Sequence, residues 1–411
     1  MIKNRTAILA LLTALNFLNY MDRTVLAAVL KDIEGDLSLS KLQAGLLATA
    51  FLVGYFVTSP IFGARADKGT RKGLITIGVA VWSLATAASG LATSFATLLI
   101  ARAVVGVGEA AYATLAPTII DDITPPDRKN RALAIFYLAI PLGSAIGYPL
   151  GGIMAKHLGW RNAFYIAGGP GLAIALSCLL IAEPSRKLAG AKARIRDSLR
   201  TLARIPLYRR AVLGYCAWTW GAGAFQIWGP QFLQDRFSLD EAAAGTYFGA
   251  VLVVAGAIGT IVGGRWADRT QRALPPADPT APYDGRRNRE GINPLLRVCA
   301  LGMVAAAPLG VACFVMPNAA SFFGFAFLCS IGLFLSTSPV NAIGLRAVPP
   351  ELRASAMAAM IFAIHLLGDL WSPPTVGLLQ DHLPVTLAMM AVPLAFALSA
   401  YLWWPRAHEA E

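Results

Sequence analysis

Charge is scarce in this chain: only 14% of its 411 residues are Asp, Glu, Lys or Arg, against roughly 25% in an average soluble domain. That scarcity excludes water as the main solvent of the fold. Histidine is scarcer still, with four residues (His157, His365, His382, His408) too scattered for the spacing of a metal cluster. The sequence has no G-x-S-x-G nucleophile elbow and no G-x-x-x-x-G-K-[ST] phosphate loop. Both absences argue against a lipid-modifying enzyme, and the second against a self-contained ATP-driven pump. The five cysteines (Cys178, Cys216, Cys299, Cys313, Cys329) lie in or beside apolar runs, which leaves no extracellular disulfide framework. No metal or organic cofactor is expected.

What the chain has in abundance is apolar length, with 56% hydrophobic residues. Twelve runs stand out, at about 6–30, 43–65, 74–94, 96–120, 132–156, 162–183, 209–234, 243–265, 294–316, 320–344, 355–379 and 384–404. Each is long enough to cross a ~30 Å hydrocarbon core at ~1.5 Å per residue. Lipid cannot satisfy backbone polar groups, and continuous apolarity without strict alternation selects helices over barrel strands. The fold class expected is therefore all-α integral membrane, with 12 transmembrane helices in two six-helix bundles. The net charge of +12 is not a nucleic-acid footprint, because its distribution is topological. Of the 35 Lys and Arg, five (Lys31, Lys41, Lys156, Arg161, Arg236) fall on the side opposite the N-terminus, two (Arg23, Arg102) lie inside predicted spans, and the rest share the N-terminal side. Positive residues stay in the cytoplasm, so both termini are expected there. The first run lacks a small-residue cleavage site and reads as a retained helix. An Arg-rich basic complement and short tails suggest a bacterial inner-membrane protein, acting as a monomer in the lipid bilayer.

The chain divides into an N-terminal bundle (1–183), a cytoplasmic linker (184–208) and a C-terminal bundle (209–411) with a long cytoplasmic loop at 266–293. In the linker, Ile195, Leu199 and Leu202 follow helical spacing, with Arg194, Arg196, Arg200 and Arg204 on other faces. This is either an amphipathic helix on the anionic leaflet or a solvated basic connector. The loop is polar and Pro-rich, as expected of a mobile segment. An internal repeat supports the division. Gly63 and Asp67 in "GARADKGTRK" superpose on Gly264 and Asp268 in "GRWADRTQR", with Lys68 on Arg269, and "PPDRKNRA" superposes on "PPELRASA". Parallel six-span repeats with a ligand site near the midplane are a transporter architecture.

These stretches resemble motifs of the major facilitator superfamily. "GARADKGTRK" is similar to its loop motif after helix 2, with Thr70 and Arg65 as departures, and "RAVVGVGEA" from Arg102 resembles its helix 4 motif. "GSAIGYPLGG" resembles the helix 5 antiporter motif, but Tyr148 stands where proline is usual and Pro149 follows, so antiport is not inferred. "LNYMDRTVLAAVLKDIE", "GVGEAAYATLAPTIIDD" and "IFYLAIPLGSAIGY" resemble the Spinster family, which implies an amphipathic anionic substrate such as a lysolipid or sphingoid phosphate. The second resemblance is to anion:cation symporters of sugar acids and other small organic anions.

The polar residues of helix 1 form one stripe: Asn16, Asn19, Tyr20 and Arg23 follow i, i+3, i+4, i+7, with Asp22 about 100° away at its edge. Such a stripe belongs on a cavity, not in lipid. Depth counting places Asp22, Arg23 and Arg102 roughly 6 to 8 Å outside the midplane and Glu109 slightly inside it. Helices 1 and 4 are cavity neighbours in the superfamily that the chain resembles, so Asp22 is expected to pair with Arg102, with Glu109 or Asp22 exchanging a proton. Arg23 and Arg102, with Asn19 and Tyr20, are the candidate anion-binding groups, because guanidinium stays charged and grips carboxylate or phosphate through paired donors. The alternative is a static polar lock between helices. A proton gradient is the expected energy source.

The gating candidates are Gly63, Asp67, Lys68, Arg71, Asp268 and Arg269. Asp67 is placed to bond a neighbouring helix N-terminus and Arg71 to reach Asp121 or Asp122, in contacts that form and break with access. Positive-charge anchoring is the other reading. In the second half, His365 and Asp369 at i, i+4 are either a titrating site or an interhelical hydrogen bond. Helix 7 carries Trp218, Trp220, Phe225, Gln226 and Trp228; the tryptophans read as interfacial anchors, or with Gln226 as a cavity wall for an acyl chain.

Overall fold

In the computed structural model the apolar runs are helices almost throughout, and residues 2, 4–66, 70–125, 128–183, 195–272, 285–349 and 352–405 are described. In the first half the spanning helices are α1 (Arg5–Ala28), α3 (Lys41–Ala66), α4 (Arg71–Ser89), α5 (Phe95–Ile123), α6 (Lys129–Leu158) and α7 (Trp160–Leu179), with a short α2 (Leu30–Leu37) prolonging α1 past Val29. A connecting α8 (Ile195–Arg204) precedes α9 (Pro206–Phe237), α10 (Glu241–Arg272) and α11 (Gly285–Val315). The last three spans are broken: α12 (Ala319–Phe334) with α13 (Thr337–Arg346), then α14 (Arg353–Ile364) with α15 (Ser372–His382), then α16 (Val385–Met389) with α17 (Ala391–Trp403). Ten described helices are long and apolar enough by composition to cross a membrane. The other two spans, α1 and α9, are long enough but diluted by polar residues, among them the stripe on α1 and Gln226, Gln231 and Gln234 on α9.

The helix ends follow from local chemistry. Ser94 starts α5 with a capping box, its Oγ accepting from Thr97 N, and Asn318 starts α12 by accepting from Ser321 N. Ser40 and Asp240 do the same for α3 and α10, accepting from Gln43 N at 3.2 Å and Ala243 N at 2.9 Å. Two residues before each, Ser38 and Ser238 turn the chain through left-handed backbone (φ 51° and 54°). The "SLS" and "SLD" turns are thus a further copy of the internal repeat. Part of the stretch expected as the loop 266–293 is helical, since α10 continues to Arg272 and α11 begins at Gly285.

The chain groups into two compact units. The first contains Met1–Leu188, Ile227–Val253 and Pro373–Asp381; the second contains Ala189–Gln226, Val254–Ser372 and His382–Glu411. In the first unit, buried Ile8, Leu12, Leu15, Val79, Trp82, Tyr112 and Phe136 form a core toward the end that carries the N-terminus. Because lipid is as apolar as leucine, packing rather than burial from water holds such helices, and close approach is decisive. Gly106 of α5 meets α3 and Gly108 meets α4: a Cβ at Gly106 would lie 2.0 Å from Phe51 O, and one at Gly108 would lie 2.4 Å from Trp82 N. These glycines set α5, and the charges on it, directly against two neighbours. Gly106→Val is expected to cost at least about 1–3 kcal/mol through overpacking, read as a lowered unfolding midpoint in detergent, whereas Gly169→Val, where no atom lies within 4 Å of the added Cβ, should change it little.

Candidate functional site

The stripe on α1 is built as its spacing predicts, and in the first unit it meets α5. Arg23 bonds Glu109: Nε donates to Oε2 at 2.8 Å, and a terminal nitrogen lies 2.7 Å from the same oxygen. Glu109 is fully buried, while the Arg23 side chain keeps 24% of its surface exposed. Its guanidinium carbon lies 4.7 Å from the Tyr20 ring, 4.9 Å from Phe51 and 5.5 Å from Tyr55, so three aromatic faces hold the cation in place.

Asp22, next to Arg23 in the chain, and Arg102, two turns from Glu109 on α5, form a second pair. Asp22 accepts from Thr86 Oγ at 2.6 Å on Oδ2, and its Oδ1 lies 3.9 Å from an Arg102 terminal nitrogen. Both side chains are only 2% exposed. The predicted Asp22–Arg102 meeting is therefore present, as an ion pair at the limit of contact. Arg102 also lies 5.6 Å from Phe51, so both guanidiniums approach the same ring. The Arg23–Glu109 pair and the Thr86 bond were not foreseen from the sequence. The Cα level of a residue does not fix where a long side chain ends: an arginine spans more than one helical turn, enough for Arg23 to reach past its own level. Asn19 is buried with neither amide atom hydrogen-bonded, and Asn16 donates to Phe136 O at 3.0 Å, tying α1 to α6.

The gating candidates are dispersed. Asp67 and Lys68 lie outside the described residues. Arg71, at the start of α4, is buried and bonds Asp122 at 2.6 Å, Thr118 Oγ at 3.2 Å and Glu183 at 3.2 Å. Glu183 also accepts from the backbone N–H groups of Arg71 and Lys72, capping α4 with a carboxylate. The predicted Arg71–Asp122 contact is present and joins helices of the first six only; Asp121 instead bonds Lys129 at 2.5 Å. Gly63 and Gly264 have ordinary surroundings, while Asp268 and Arg269 lie exposed near the end of α10.

In the second unit, His365 and Asp369 are in contact, Nδ1 lying 3.0 and 2.9 Å from the two carboxylate oxygens, on a single π-helical turn (His365–Asp369). A π turn places i and i+4 side chains unlike a regular helix and recurs at functional positions. Gln226 is half-buried on α9. Two of the tryptophans are helix ties rather than interfacial anchors: Trp218 Nε1 donates to Leu333 O at 2.8 Å within the second unit, and Trp228 Nε1 donates to Pro373 O at 3.0 Å within the first. An indole N–H buried among helices needs an acceptor, and the breaks at 335–336 and 370–371 supply carbonyls nearby.

Ion pairs buried between membrane helices of the first unit, with a turn repeated at the start of α3 and α10, fit a transporter built from two six-span repeats. The sequence profile described as "Major Facilitator Superfamily" matches residues 12–373. "Protein spinster homolog 1" of Homo sapiens is 35% identical over 406 residues, covering 92% of this chain and 73% of that protein. "Probable sphingolipid transporter spinster homolog 2" of Arabidopsis thaliana is 33% identical, covering 85% and 72%. Among solved structures, "A Bacterial Homolog to Human Lysosomal Transporter, Spinster, in Inward-facing And Occupied Conformation" superposes with a TM-score of 0.85 at 22% identity, over 98% of this chain and 97% of that one, sharing the fold. The chain belongs to the Spinster family of the major facilitator superfamily. It is a multi-pass membrane transporter and not an enzyme.

Proposed function

We propose that the protein is a proton-coupled carrier of an amphipathic anion, a lysolipid or a sphingoid phosphate, working by alternating access between the halves 1–183 and 209–411. The observation that carries this reading is the Arg23–Glu109 pair, a partly open cation spent on a fully buried carboxylate at 2.7 Å. While Glu109 is ionised, Arg23 is neutralised by it. When Glu109 takes a proton, Arg23 is released to grip a phosphate or carboxylate through paired donors. Linkage makes this reciprocal: an anion that draws Arg23 away leaves Glu109 buried without its cation, and Glu109 then takes up a proton. Proton and anion therefore bind together, the behaviour of a symporter. Asp22 and Arg102, with the equally buried Asn19, are enclosed and serve as the frame that fixes helix 1 against helix 4, while half-buried Tyr20 lines the approach. His365–Asp369, in contact in the second half, is a second candidate titrating site there, and Gln226 a further candidate in that half.

The name of the Arabidopsis relative, a probable sphingolipid transporter, supports the lipid class; small organic anions such as sugar acids remain the second reading, and Arg23 would hold either. The excess of Lys and Arg on the N-terminal side supports a cytoplasmic location for both termini; a bacterial inner membrane and a monomeric carrier complete the proposed reading. Thermal-shift measurements on the purified protein with lysophospholipids, sphingosine phosphate and sugar acids test the substrate class. The first two should raise the unfolding midpoint and sugar acids should not, with the shift lost in Arg23→Gln; stabilisation by sugar acids alone would select the second reading.

A further inference from the structure

We propose that Glu34 is a second proton-binding carboxylate, and that a proton taken there from the side opposite the N-terminus holds a latch shut between α2–α3 and α9. This rests on the carrier reading, but not on Glu109 as the residue that exchanges the coupled proton.

All parts of the latch lie in the first unit. Glu34, on α2, is 9% exposed, and its Oε2 accepts from Lys41 Nζ of α3 at 2.8 Å and from Gln231 Nε2 of α9 at 2.5 Å. Lys41 Nζ also lies 3.2 Å from Asp235 of α9, whose other oxygen lies 2.8 Å from Lys31. The first two N–H groups of α3, on Lys41 and Leu42, donate to the two oxygens of Asp381 of α15, at 2.8 and 3.0 Å. A carboxylate on a helix N-terminus is a favourable electrostatic contact. Lys41 is thus held twice, by its side chain and by its backbone, from two different segments of the second half.

Glu34 Oε1 is the exception in this network: it is buried and accepts no hydrogen bond. A carboxylate with one oxygen fully engaged and the other buried bare is costly, whereas a proton on Oε1 removes the buried negative charge and leaves Oε2 as the acceptor of both bonds. Burial accordingly pushes Glu34 above the ordinary carboxylate range, against the pull of Lys41 and of the bonds from Lys41 and Gln231, with Asp235 adding a smaller push. When the latch opens, the side chain meets water and returns toward its ordinary value. The latched arrangement therefore binds the proton more tightly, and by linkage acid on that side favours latching. Other charged groups nearby are committed: Asp36 to Arg161, and Asp240 to Lys156. Asp32 is a separate titrating group, raised to about 6 by burial and by Glu241 against the pull of Lys31.

The test is the distance between spin labels at Gly35 and Thr246, both exposed, in nanodiscs. It is measured from about pH 8 to about pH 5 in the Glu109→Gln background, where the cavity carboxylate cannot titrate. The short-distance population is expected to grow as pH falls. Adding Glu34→Gln, which is neutral at every pH, should hold it high throughout, while Asp32→Asn leaves the growth in place. Lys41→Met, which removes the cation opposing protonation, should move the midpoint up by about 1 to 3 pH units. An unchanged pH response with Glu34→Gln, or an unmoved midpoint with Lys41→Met, would overturn the proposal; a failure of Glu109 to couple transport would leave it standing.

Discussion

Glu109→Gln is expected to reduce proton-driven uptake into proteoliposomes to the level of protein-free vesicles, while substrate binding persists. The amide keeps the volume of the carboxyl and an oxygen for Arg23, so the packing around the fully buried position survives. What is lost is the exchangeable proton and the charge that holds Arg23 in competition with the anion. Counterflow, which needs binding and reorientation but no net proton movement, should therefore outlast driven uptake. Uptake that stays proportional to the pH gradient in this variant would place the coupled proton elsewhere, with His365–Asp369 the next group to test.

The second large effect is on stability. Arg102→Leu should destabilise the folded protein by about 3–5 kcal/mol, because Asp22 would remain buried with its charge uncompensated. Arg102 and Asp22 are each 2% exposed, and besides Arg102 the described bond to Asp22 is that from Thr86. The double change Asp22→Leu with Arg102→Leu should recover most of the loss, since replacing a buried ion pair by packed apolar groups is often neutral. Thermal unfolding of the single and double variants gives the coupling directly. If Arg102→Leu unfolds at the wild-type temperature, the pair is not the frame it is taken to be.

The sequence made legible whatever follows from local pattern. The apolar runs became helices, and the i, i+3, i+4, i+7 stripe on α1 faces α5 and α6. Even the Asp22–Arg102 meeting followed, from depth together with the neighbouring of helices 1 and 4 that the superfamily resemblance implies. The partner of Arg23 did not, because a long flexible side chain is placed by its neighbours, here three aromatic rings and a buried carboxylate, and not by its Cα. Trp218 and Trp228 read as interfacial anchors since aromatic residues near span ends usually are, but the carbonyls that accept from them sit in helix turns flanking breaks that are invisible in a hydropathy pattern. The latch around Glu34 was equally hidden, as its members come from α2, α3, α9 and α15. One signal was available: the repeated "SLS" and "SLD" turns mark the entries of α3 and α10 as equivalent, and Lys41 follows directly on the first.

The central claim is that one cation, Arg23, is shared between a proton-binding carboxylate and the transported anion. The most direct measurement is substrate affinity as a function of pH, in wild type and in Glu109→Gln. The account predicts that wild-type affinity rises as pH falls, because protonated Glu109 releases Arg23, and that Glu109→Gln binds at the low-pH affinity throughout. A Glu109→Gln profile that retains the wild-type pH dependence would contradict it.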